Sequence, residues 1–160
     1  MPNKLEKSDI ATIRNKPLIN CARGLIPTTA NFGVAPTSLQ NATDGDRTTA
    51  TGIGTNTLTG AGIVGDLIIT LPTSGTYIIS GVLGYWSTAG NTQVRIMCYA
   101  DNVTLLDTAI NKLSRSTTSE QISIFDSSII VGNVFRIRIR GDVAGNYSIK
   151  FYEIYAYKLE

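Results

Sequence analysis

At 160 residues the chain has the size of one domain, long enough to bury a core without staples and too short for two domains of ordinary size. A formal net charge of +2 with only 16% charged residues supplies no basic field for a nucleic-acid backbone, and the lack of any histidine removes both the usual general base and the commonest transition-metal ligand. Triad hydrolases and histidine-bound zinc are excluded, nucleic acid is not expected as a partner, and the two distant cysteines, Cys21 and Cys98, form no CxxC metal or redox spacing.

Taken in chain order, residues 1–24 crowd Lys4, Glu6, Lys7, Asp9, Arg14, Lys16 and Arg23 into a stretch with no sustained amphipathic period. This reads as an N-terminal arm, flexible or docked on another subunit, and its charge and lack of an apolar run argue against a signal peptide or membrane span. From residue 25 to residue 160 the composition turns to Thr, Ser, Gly and Asn mixed with β-branched apolar residues, which suits strands and tight turns. The stretch NATDGDRTTATG, Asn41 to Gly52, gathers Asp44, Asp46 and four threonines around Gly45. It is either a solvated Asp-Gly turn or the oxygen-rich corner of a site for a hard cation such as calcium. The Thr/Gly-rich stretch from Thr48 to Gly65 reads as a long loop.

Short alternating runs follow: GDLIITLP, TYIISGVLGYW, TQVRIMCYA, VTLLDT, EQISIFD, NVFRIRIRG and YSIKFYEIYAYK, divided by turn signals such as PTSG, STAGN and GDVAGN. They predict an all-β fold, an antiparallel β-sandwich of the jelly-roll kind, with no helical period strong enough for a βαβ unit. Trp86, the sole tryptophan, together with Tyr85 and Tyr99 could offer a stacking platform for a sugar ring, although its apolar strand makes core packing the plainer role. Cys98, alternating with Val94 and Ile96, reads as a small core residue. In VFRIRIRG the alternation puts Phe135, Ile137 and Ile139 on the core side and Arg136, Arg138 and Arg140 on the other. Three guanidiniums in a row could grip an acidic glycan or phosphate; the plainer reading is a solvated or ion-paired strand face. No nucleophile stands at an ordered spacing from a base, so no enzyme is expected.

The order of segments resembles the discoidin, or coagulation-factor C-type, family of galactose-binding-like β-sandwiches. The resemblance is carried by ATDGDRTT with Asp44, Gly45, Asp46 and Thr49, by GDLIITLPTSGTYIISGVLGYW, and by FRIRIRGDVAGNYSIKFYEIYAY, and spans roughly Ala30 to Tyr157. Thr51 stands where the family usually has a tryptophan. The resemblance implies a calcium ion held by Asp44, Asp46 and Thr49, by a carboxylate from the last strand, Glu153, and by carbonyls near Ala42. The charged arm joined to a compact Thr/Gly-rich sandwich points first to a virion structural subunit, a phage capsid decoration, head-fibre or tail-associated protein that docks through its arm, assembles as a homo-oligomer and displays a domain able to bind cell-surface glycans. The alternative is an extracellular carbohydrate-binding module of a secreted protein.

Overall fold

The computed structural model describes residues 18–88, 93–100, 104–105, 111–114 and 119–159. Its strands are β1 (Thr28–Ala30), β2 (Gly54–Leu58), β3 (Gly62–Ser87), β4 (Gln93–Ala100), β5 (Thr104–Leu105), β6 (Asn111–Ser114), β7 (Gln121–Gly141) and β8 (Gly145–Lys158), with one 3-10 turn at Leu39–Ala42. Every ladder is antiparallel. The all-β antiparallel sandwich expected from the sequence is the fold observed.

Two pairs of runs that read as separate strands are continuous. GDLIITLP and TYIISGVLGYW form β3, and EQISIFD and NVFRIRIRG form β7. These two long strands pair along their whole length, but the register shifts between Thr70 and Gly75 of β3, opposite Val134 and Gly132 of β7. The PTSG segment is therefore a bulge rather than the end of a strand, and a bulge bends its sheet without breaking it. Before the bend, β3 pairs with β1 and β7 pairs with β4; beyond it, β3 pairs with β8. One pair of strands thus runs through both halves of the sandwich. The edge-on contact of Tyr77 with Phe135, centroids 5.6 Å apart, links residues on opposite sides of the bend.

Phe135, Ile137 and Ile139 are fully buried with Leu67, Ile69 and Ile96 from the strands beside them, and Tyr147, Ile149 and Phe151 of β8 join the same core. Cys98 is buried among them, and Cys21 is a half-buried free thiol.

Two expectations change. The Thr48–Gly65 stretch is not all loop: it contains β2, paired with β8, and the start of β3. Its small residues carry no period-2 signal, and backbone pairing alone makes it a strand. The end of the expected arm is built into the domain. The amide of Cys21 donates to the Ala156 carbonyl, the Asn20 side chain accepts from the Ala156 amide at 2.9 Å, and Ala22 is fully buried. Residues 1–17 lie outside the described residues.

Candidate functional site

The DGD loop lies against β8. Gly45 has φ +87°, a left-handed backbone that favours glycine, and a Cβ there would come within 2.9 Å of the Arg23 guanidinium. Its amide donates to Glu153 Oε2 at 3.0 Å. The other oxygen, Oε1, is buried without a hydrogen-bond partner among the described residues. Burial is the main cause that pushes the Glu153 carboxyl up to about 7; the nearby Asp44 charge adds to it, while the Gly45 hydrogen bond, Arg23 and Arg47 oppose it.

The expected ligands are only partly drawn together. Asp44 accepts from the Asp46 amide at 2.8 Å and from the Thr49 hydroxyl at 2.6 Å. Asp46 turns to Thr48, whose hydroxyl and amide donate to it at 2.6 and 2.8 Å and hold its carboxyl below the ordinary carboxylate range. Ala42 is buried at the end of the 3-10 turn. No group of three or more His, Cys, Asp or Glu side chains suited to an ion gathers among the described residues. A cation here would draw on Glu153 and Asp44 together with hydroxyl and backbone oxygens.

The arginine row faces outward, but two of its members converge on an acid from the next strand. Asp66 of β3, opposite Arg138 in the ladder, is fully buried. It accepts from Arg138 Nε and Nη2 at 2.8 and 3.0 Å, from Arg136 Nη1 at 3.1 Å and from Asn31 Nδ2 at 2.6 Å. The hydrogen bond that Arg138 donates to Asp66 is the main cause raising the Arg138 pKa, and this guanidinium also sits 5.0 Å from the centroid of the Tyr99 ring. Arg140 is exposed. The row is chiefly an ion-paired strand face, and Asp66, a lone acid inside GDLIIT, was the unread signal for it.

Trp86 lies in the other half of the sandwich, apart from the row and from Tyr99, and Tyr85 beside it is buried in the core. The three aromatics therefore do not form one platform. Trp86 itself is half-buried on the outer face of β3, with Lys150 Nζ 5.6 Å from its ring centroid. Ladder neighbours share a face, so Ile122, Gly84 and Lys150 form one row across three strands. Gly84 leaves a gap in that row, and Glu120 reaches into it: a Cβ on Gly84 would meet Glu120 Oε1 at 2.1 Å. Glu120 accepts from the Tyr152 hydroxyl at 2.8 Å and from Lys150 Nζ at 3.4 Å. The Tyr152 pKa is raised, first by burial and then by its hydrogen bond to Glu120. Sequence reasoning found Trp86 but missed Glu120, Lys150 and Tyr152; the last two alternate on the polar side of YSIKFYEIY.

No family model and no curated protein sequence matches the chain. Solved structures do. CpGH89CBM32-4, a carbohydrate-binding module from Clostridium perfringens in complex with GlcNAc-α-1,4-galactose, superposes with a TM-score of 0.50 at 15% identity, over 89% of this chain and 95% of that one. CpGH89CBM32-5 from the same organism, in complex with GalNAc-β-1,3-galactose, gives 0.48 at 14% identity over 86% and 99%. Chitosan-binding module 1 of a chitosanase/glucanase from Paenibacillus sp. IK-5 gives 0.46 at 17% over 87% and 98%. At such identities the likeness is one of fold, an antiparallel β-sandwich.

Proposed function

We propose that this protein is a non-catalytic glycan-binding module that acts outside the cell and meets its sugar on the outer face around Trp86. The observation that carries the reading is the half-buried indole with the Lys150 ammonium over it, which is joined in turn to the Glu120 carboxylate and the Tyr152 phenol. The C–H face of a pyranose packs on an aromatic π-face, and nearby polar groups fix its orientation. The shared fold with a module solved in complex with a disaccharide supports the same reading. Glycan-array binding by the wild-type protein, lost in Trp86→Ala without loss of folding, is the expected result. An array with no bound glycan rejects the reading.

Virion display is the weaker reading, because the described end of its docking arm is spent on β8 of its own chain. A glycan-binding module is expected to sediment as a monomer, whereas a display subunit is expected to form a homo-oligomer through residues outside the described part.

The DGD loop serves this module as a calcium site that stabilises the fold. The unpartnered buried oxygen of Glu153 fits a hard cation, because burying an uncompensated carboxylate is costly and an ion would supply the missing partner. Glu153, Asp44 and Thr49 would hold the ion with carbonyls near Ala42, while Asp46 braces the loop through Thr48. Bound calcium would tie the start of the domain to its last strand and do no chemistry.

A further inference from the structure

We infer that the outer face of β3 and β8 is a diol-binding site selective for neutral sugars, in which a glycan stacks on Trp86 and sets two adjacent hydroxyls against Glu120 and Lys150. This deepens the glycan-binding reading and rests on it. Three observations converge. Gly84 lets the Glu120 carboxylate settle onto the sheet between Ile122 and Lys150, since a methyl group there would strike Glu120 Oε1. Glu120 Oε2 and Lys150 Nζ stand 3.4 Å apart, a spacing that a vicinal diol bridges, with one hydroxyl donating to the carboxylate and the other accepting from the ammonium. Tyr152 orients the carboxylate from its far side through the 2.8 Å bond to Oε1, leaving Oε2 directed at Lys150.

The charge of the site decides the ligand class. One carboxylate and one ammonium sum to zero, so a neutral sugar leaves the pair balanced. A uronic acid would face Glu120 and an amino sugar would face Lys150, each a like charge at close range. Lys150 Nζ lies 5.6 Å from the indole centroid, so a sugar that meets the ring beside it offers the ammonium a hydroxyl acceptor.

Trp86 is the only tryptophan in the chain, so its fluorescence reports this face alone. The experiment titrates the full chain with matched trisaccharides built on glucose and on galactose, each in neutral, 2-amino and uronic acid form. The expected result is a saturable change in Trp86 emission with a neutral trisaccharide, and binding at least tenfold weaker for both charged forms. Glu120→Gln leaves the site positive and shifts preference toward the uronic form; Lys150→Met leaves it negative and shifts preference toward the amino form. Glu120→Ala weakens neutral binding about tenfold with an unchanged melting midpoint. The inference is overturned if a charged form binds best to the wild type, or if neutral sugars bind without moving Trp86 emission and are indifferent to both charge changes. In that last case glycan binding stands and the site lies elsewhere; if no carbohydrate binds the wild type on the array, the functional reading falls with it.

Discussion

The two halves of the sandwich carry outer faces of opposite character. On one, Asp66 is fully buried and its four hydrogen bonds from Arg136, Arg138 and Asn31 satisfy both oxygens. On the other, Glu120 and Lys150 remain about a quarter exposed and joined by one long contact beside a half-buried indole. The same residue types thus do different work. A charge cluster that is buried and saturated holds strands together, whereas one that is solvated and under-bonded can exchange its partners for those of a ligand.

The sharpest way to break this comparison is to remove the buried acid. Asp66→Ala strands two guanidiniums beside the core and should cost about 4 kcal/mol, measured by urea denaturation; a cost under about 1 kcal/mol would make this face as expendable as the other. Ile137→Ala, beneath the same clamp, should cost about 3 kcal/mol through lost burial and a residual cavity. Next comes the DGD loop: calcium at a hundredfold excess over its dissociation constant should add about 2.7 kcal/mol relative to excess chelator, and Glu153→Ala should abolish the difference in melting midpoint. An unchanged midpoint in chelator, with no calcium found by metal analysis, would reduce the loop to a turn. The smallest stability effect belongs to the open face. Glu120→Ala should cost no more than about 0.5 kcal/mol, because its ion pair with Lys150 is solvent-screened, yet it should alter sugar binding.

Arg138 shows how the structure revises an expectation drawn from alternation. Period-2 patterning places its side chain outside the core, which is correct, and from the sequence alone its loss looks nearly free. The bidentate bond to buried Asp66 makes Arg138→Ala a costly change, about 2 kcal/mol or more, since the acid loses its best partner.

What the sequence determined by itself was everything that depends on local pattern. Alternating β-branched and polar residues fixed the strand class and the core side of VFRIRIRG, whereas the link between the DGDRTT loop and Glu153, seen in the Gly45 to Glu153 hydrogen bond, was implied only by the family resemblance. The tertiary structure decided what depends on register and on bends. Whether PTSG ends a strand or bulges within one turns on pairing with β7, more than 50 residues further along the chain. The pairing of Gly84 with Lys150 and Ile122, and of Asp66 with Arg138, is likewise a property of the ladder and not of either strand. A side chain's face can be read from its neighbours in sequence; its partners across the sheet are set by long-range hydrogen bonds that leave no local trace.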